Sequence, residues 1–404
     1  MVLTNKYFFV DGKSISEELI QKFDLRNNSR NLRFSHTENG DVLNFVGFVI
    51  LGEEVLISLP KHYAPSSQLN EMSYNDISLL FEVLLADQVR NVQNYIGEVK
   101  EFESSFPFRA FFGIYRYYQQ FGLYHETNIV TRASYSGKIS WKDTIRKAAN
   151  VISENNLVYL PLFIKETQNK QVFISRCMAF AINYTLQTYP MFVKGKAINV
   201  GFNNFDFWRN KGYVVGRLKK AYNEVFKDLH KQLVRDLIDF FSSIPEGGNI
   251  TIKHYNFELV WEAMVEEYLN DYFIGVDDNG LKFSQQRLPS SNKFTKMRFN
   301  ADKVHPLNRL EPDHYLHNRE EQFIFDAKYF SRVYDLNHKQ VAYYTFLRNQ
   351  AHQTYNALIL PTYLDSYSKV HFDLDEKYFA HPDDRLVIWE YYLHMKRAMI
   401  NFIE

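Results

Sequence analysis

Cysteine is almost missing: Cys177 is the one such residue in 404. A disulfide within the chain is therefore excluded, and cysteine-based zinc sites are not expected. No run of about 18 apolar residues occurs, so no membrane-spanning helix is expected. The opening segment, Met1 to Glu18, has neither a long apolar stretch nor a small-residue cleavage site. No secretory signal is expected, and the cytoplasm is the expected compartment. The phosphate-cradling pattern G-x-x-x-x-G-K-[ST] is absent, and Gly195 lies in no such context, so the chain carries no P-loop of its own. Nor is there a methyltransferase-like glycine-rich turn, a repeat of fixed period or a low-complexity tract. Net charge is lacking too: 47 Lys and Arg balance 47 Asp and Glu.

That balance conceals an uneven distribution. Residues 1–130 carry 11 basic against 16 acidic side chains, a net of −5; residues 131–240 carry 18 against 8, a net of +10; residues 241–404 carry 18 against 23, a net of −5. A basic middle can neutralise phosphates, although a solvated helical surface has the same composition. The chain is otherwise an ordinary globular one, 46% apolar and 23% charged, with 35 Phe, 28 Tyr and 4 Trp to fill a sizeable core. At roughly 150 residues per domain, two or three domains are expected.

Patterning sets out the elements. Leu43–Leu59 reads as a hairpin around Gly52-Glu53-Glu54. Residues 73–101 carry one apolar stripe and predict a helix, as do 140–155 with Ile145, Ala148, Val151 and Ile152 on one face. Residues 158–163 and 172–174 read as strands, and 213–241 as one long helix. The Ser/Pro/Gly/Asn cluster at 242–249 is the main boundary. Beyond it come a helix over 256–272, a loop over 277–302, strands at 313–316 and 323–330 around a turn at 317–320, a helix over 337–348, a short strand at 357–360 and a final helix over 386–402. Three regions result: 1–130, 131–245 and 250–404.

The chemistry concentrates in the last region. Pro312-Asp313 is followed by Asp326-Ala327-Lys328 and then by Gln340-x-x-x-Tyr344. Side chains alternate along a strand, so Asp326 and Lys328 share a face. A hairpin can bring Asp313 beside Asp326. Two adjacent carboxylates raise each other's pKa, and a divalent cation relieves the repulsion. Hard oxygen ligands suit Mg²⁺, with Mn²⁺ as a substitute. Lys328 would then stand beside the metal, where its charge can position a water and stabilise a phosphate. Glu262 on the preceding helix is a third acid; Glu258, one turn earlier, is its alternative. Gln340 and Tyr344 share a helix face and could contact a DNA phosphate or steady Lys328. The plainer reading is a surface hairpin with an Asp–Lys pair. His314 and His317 are expected as solvent-facing turn residues, a zinc site being the alternative. For DNA contact outside this region, Trp141 could stack on a base, burial being its alternative, and Arg217, Lys219 and Lys220 lie in the densest basic run, which also fits a solvated helix face.

This constellation resembles the PD-(D/E)xK nuclease superfamily, with the Q-x-x-x-Y extension of its RecB-like branch. A wider resemblance rests on Val46–Ile50, Leu59-Pro60-Lys61, Gly137–Ile145, Val158–Leu162 and the Trp261-Glu262 helix. These segments resemble the LlaJI-type restriction endonuclease family, itself similar to McrC, the nuclease subunit of McrBC-type systems. The resemblance implies an α/β fold: an α+β N-terminal part, then a restriction-endonuclease-like mixed sheet flanked by helices. It implies a Mg²⁺-dependent endodeoxyribonuclease subunit in an anti-phage restriction system. Its partners would be double-stranded DNA and an AAA+ GTPase similar to McrB, which residues 1–130 would dock. Asp313, Asp326 and Lys328 would be the catalytic core, Glu262 a further metal ligand, and Gln340 and Tyr344 supporting residues. The alternatives are a standalone RecB-like repair nuclease and a non-catalytic adaptor that activates an NTPase.

Overall fold

The computed structural model of the chain describes residues 5–94, 101–153, 156–170, 172–190, 192–193, 195–199, 206–245, 249–289, 292–305, 307–318, 320–330, 333, 335–378 and 385–404. It is a mixed α/β protein of two compact units. Residues 1–106 and 245–404 form one unit, and 107–244 form the other. The boundary expected at 242–249 coincides with one junction, although 246–248 lie outside the described residues. The boundary expected after 130 does not; it falls after Phe106. The cause is one strand. Ile250–His254 pairs antiparallel with both Val46–Leu51 and Phe102–Ser104, so the chain after 245 re-enters the N-terminal sheet. Its approach is close: a Cβ on Gly47, which has φ +146°, would overlap the Ile252 carbonyl.

That first sheet also holds the expected hairpin, Val46–Leu51 against Glu54–Leu59, with Asn5–Val10 parallel at its edge. The helix expected over 73–101 runs Tyr74–Asn94; its tail at 95–100 lies outside the described residues.

The second sheet of this unit has five strands in the order His314–His317, Glu321–Ala327, Gln353–Thr362, Val387–His394, Tyr367–Asp373. The inner pairs are parallel and the two edges antiparallel. Alternation divides its residues between two faces. On one, Ile324, Leu358, Leu360 and Ile388 meet Tyr343, Tyr344 and Leu347 of the helix His338–Leu347. On the other, Phe323 and Phe325 pack against Phe273 edge-to-face and against Phe294, and Trp261 of the helix Phe257–Tyr272 donates to the Ile359 carbonyl at 3.4 Å. The expected apolar stripe of that helix, from Phe257 to Tyr268, is buried throughout.

Several expected elements differ. Residues 386–402 are not one helix: Val387–His394 is a strand, and only Met395–Ile403 is helical. Its β-branched and aromatic residues pair in parallel with Gln353–Thr362, where burial from both sides hides the period of two. The loop at 277–302 begins with a short hairpin, Phe273–Asp277 with Gly280–Phe283.

In the 107–244 unit, helices Phe108–Phe121, Phe173–Thr188, Lys211–Glu224 and Asp228–Ser243 surround a core that includes Cys177. The long helix expected over 213–241 is therefore two, broken at Val225–Lys227. There Val225 turns inward in an extended conformation, while Phe226 is 89% exposed. Residues 172–174 begin a helix, not a strand. The helix over 140–155 ends at Lys147; Ala149–Ser153 pairs instead with Asn156–Leu160. Val151 and Ile152, β-branched neighbours, favour that hairpin. No helix among the described residues is long and apolar enough to cross a membrane.

This unit contains a half-buried acid. Burial raises the Asp236 carboxyl to about 6, against the hydrogen bond that Gln232 donates at 2.8 Å. In the unfolded chain the group ionises near 3.9, so stability is lost as pH rises from there through about 6. Asp236→Asn is expected to raise the unfolding free energy by about 1–2 kcal/mol near pH 7 and to change little below about pH 4. Denaturant titrations at the two pH values check this; an equal effect at both would refute it.

Candidate active site

The site begins with a strand register. His314 lies opposite Phe325, so Asp313, one residue earlier, falls opposite Asp326. Asn318 closes the turn by accepting the N–H groups of Glu320 and Glu321 at 3.0 and 2.8 Å. The Asp313 backbone N–H donates to Asp326 Oδ1 at 3.2 Å. The expected hairpin and carboxylate pair are thus both present, and they are buried, not on an open surface.

Asp326 has no solvent exposure. Its Oδ2 accepts from Lys328 Nζ at 3.0 Å, the same-face neighbour that alternation predicts, and lies 3.3 Å from Lys339 Nζ. Lys328 is anchored by its own backbone N–H, which donates to the Ile359 carbonyl at 2.8 Å. Lys339 was missed in the sequence. It is the second residue of the helix His338–Leu347, whose start Asn337 caps by accepting from the Gln340 N–H. Against the cost of burial, the Asp326 charge holds the Lys339 ammonium above its ordinary range.

Glu262 reaches the pair through a second lysine that sequence reasoning missed. Lys296 Nζ stands 3.5 Å from Glu262 Oε2 and 3.6 Å from Asp313 Oδ1. Burial, then the Asp326 charge, raises the Asp313 carboxyl. Burial, then the Asp313 charge, raises that of Glu262. Glu258 is exposed and acts electrostatically on Asp11, Tyr329 and Glu262. Of the two candidate glutamates, Glu262 is the one beside the pair.

Gln340 and Tyr344 share a face, but it turns onto the sheet. Tyr344 packs on Leu358, Leu360 and Ile388 and accepts the Arg385 N–H at 3.1 Å. The Gln340 amide is fully buried, with neither end hydrogen-bonded. Neither side chain makes a hydrogen bond to Lys328. His314 is also buried, contrary to the expected turn position. Its ring nitrogens lack partners, and burial lowers its pKa to about 3. His317 is exposed, as expected.

The proposed DNA-contact residues lie in the 107–244 unit. Arg217, Lys219 and Lys220 are exposed on the helix Lys211–Glu224, with the Arg217 guanidinium 4.2 Å from the Phe173 ring centroid. Trp141 is 57% exposed at the start of its helix, not buried against it.

Asp313 and Asp326 form an all-oxygen donor pair of the kind a hard divalent cation takes. Among the described residues, no three His, Cys, Asp or Glu side chains form a ready-made metal cage; Glu262 and Asp313 meet through an ammonium group instead. Asp313 and Asp326 are the oxygen donors that would hold such a cation, with Glu262 one lysine away.

No family model matches the chain, and no curated protein matches it. Among solved structures, it is similar to a chain of a half-complex from a tetradecameric assembly of Thermococcus gammatolerans McrB AAA+ hexamers with bound McrC. Identity there is 12% and the TM-score 0.40, over 98% of each chain. A chain of the Thermococcus gammatolerans McrBC complex matches at 14% identity and a TM-score of 0.26, over 65% of this chain and 88% of that one. Both likenesses are loose, and the site's chemistry rests on this chain's own residues.

A buried amide without partners carries a desolvation cost. Gln340→Met keeps the length and removes that cost, so it is expected to raise the unfolding free energy by about 1 kcal/mol. Thermal and denaturant unfolding check this. A loss of similar size would mean that the amide is hydrogen-bonded.

Proposed function

We propose that the chain is a Mg²⁺-dependent endodeoxyribonuclease subunit with a PD-(D/E)xK site, which works in a restriction system with an AAA+ GTPase similar to McrB. The observation that carries the nuclease reading is the buried Asp313–Asp326 pair, with Lys328 at 3.0 Å from Asp326. The partner and the restriction role rest on the sequence resemblance. The basic run at Arg217, Lys219 and Lys220, together with Trp141, is a proposed surface for double-stranded DNA.

In this reading Asp313 and Asp326 hold the cation, and Glu262 joins them directly or through a water. Bound there, Mg²⁺ supplies positive charge to the scissile phosphate and makes a water more acidic. The protein's own groups do the rest. Lys328, tied to the strand end by its backbone, keeps its ammonium beside the reacting phosphate, where it offsets negative charge as that builds. Asp326 restrains Lys328 and sets its direction. Burial keeps bulk water from weakening these interactions. The expected products carry 5′-phosphate and 3′-hydroxyl ends.

The test is plasmid cleavage by the reconstituted complex with Mg²⁺ and GTP. Lys328→Ala removes the charge but leaves the carboxylates; cleavage is expected to fall by at least about 100-fold, with folding and partner binding retained. Glu262→Ala is expected to be far more harmful than Glu258→Ala. Normal cleavage by Lys328→Ala would overturn the assignment of the site. The reverse order of the glutamates would overturn the choice between them.

A further inference from the structure

Each carboxylate of the site already has a lysine against it. Three carboxylates, Glu262, Asp313 and Asp326, face three ammonium groups, Lys296, Lys328 and Lys339. Lys328 and Lys339 both lean on Asp326. Lys328 is 18% exposed, and the Lys339 ammonium lies 5.4 Å from the Tyr343 ring centroid. Lys296 serves the other side and spans the gap between Glu262 and Asp313.

Its backbone is held in place. The Thr295 N–H donates to the Tyr315 carbonyl at 3.1 Å, and the Tyr315 N–H returns to Thr295 at 2.9 Å. This short bridge sets the Lys296 stem beside the Asp313 strand. The side chain itself is 47% exposed, so its ammonium can swing out into water.

We propose that Lys296 is the resident counter-ion of Glu262 and Asp313, and that a divalent cation at the Asp313–Asp326 pair draws in Glu262 by displacing the Lys296 ammonium group. This rests on the metal-dependent reading above. Two carboxylates across a gap repel, and an ammonium at ion-pair distance relieves part of that repulsion. A divalent ion, at about 2.1 Å from its oxygens, relieves more of it. By taking Asp313 and Glu262 as ligands, it competes with the Lys296 ammonium for the same oxygens. Lys296 is therefore a positioning residue: it keeps Glu262 and Asp313 facing each other and competes with the metal for both.

The competition gives a sign opposite to that of structural damage. Mn²⁺ binding to the full chain is measured by calorimetry without DNA. Lys296→Met is expected to bind Mn²⁺ roughly threefold or more tightly than the parent, the scale of one half-exposed ion pair. Lys296→Arg, which keeps the charge, is expected to stay near the parent. Without metal, Lys296→Met is expected to melt earlier than the parent and to gain more from added Mn²⁺. Lys296→Gln, whose amide still hydrogen-bonds to carboxylates, provides a second neutral variant and is also expected to bind more tightly. Equal or weaker binding by both neutral variants would overturn the proposal. Asp326→Asn tests the underlying reading separately. It is expected to lose Mn²⁺ binding, and unchanged binding there would overturn the metal site itself.

Discussion

Burying a carboxylate away from solvent is costly unless charge or hydrogen bonds replace its water. Asp326 sits in that position at the end of a central strand. Its oxygens take the Asp313 N–H and two ammonium groups. Each partner comes from a different part of the fold: the edge strand, the residue beyond the strand end and the first turn of the helix that covers the sheet. The strand register, the capped helix start and the anchored Lys328 backbone all serve to surround this one group. Removing any one of them leaves a buried charge short of a partner.

The same surroundings shape the chemistry. Lysines stand beside the pair, and burial, then the proximity of the acids, raises the Asp313 and Glu262 carboxyls. A site built this way is poised: its charges are satisfied, yet it is rich in oxygen donors and half-exposed ammonium groups that can give way.

Much of this was legible in the sequence where the pattern was local. Alternation placed Asp326 and Lys328 on one face, and the 13-residue spacing across a turn allowed Asp313 to reach them. The helical stripe from Phe257 to Tyr268 was unmistakable because the helix buries one side only. What was not legible depended on distant packing. Lys296 lies in a loop without periodicity, and its position follows from the Thr295–Tyr315 bridge. Lys339 precedes the Q-x-x-x-Y pair, whose four-residue spacing showed a shared face but not that the face turns inward. The strand Val387–His394 is buried on both faces over Glu390–Leu393, and Val225 breaks a helical repeat that continues through it. The unit boundary at Phe106 was hidden because the strand that decides it, Ile250–His254, lies more than 140 residues further along the chain.

The central claim is that Asp313 and Asp326 bind a divalent cation jointly, and a crystal of the full chain soaked in Mn²⁺ and measured at the manganese absorption edge addresses it directly. The account predicts an anomalous peak between the two carboxylates, about 2.1–2.2 Å from an oxygen of each, with Lys296 turned away. A clear density map showing both aspartates ordered, their lysines still in place and no peak at the pair would contradict it.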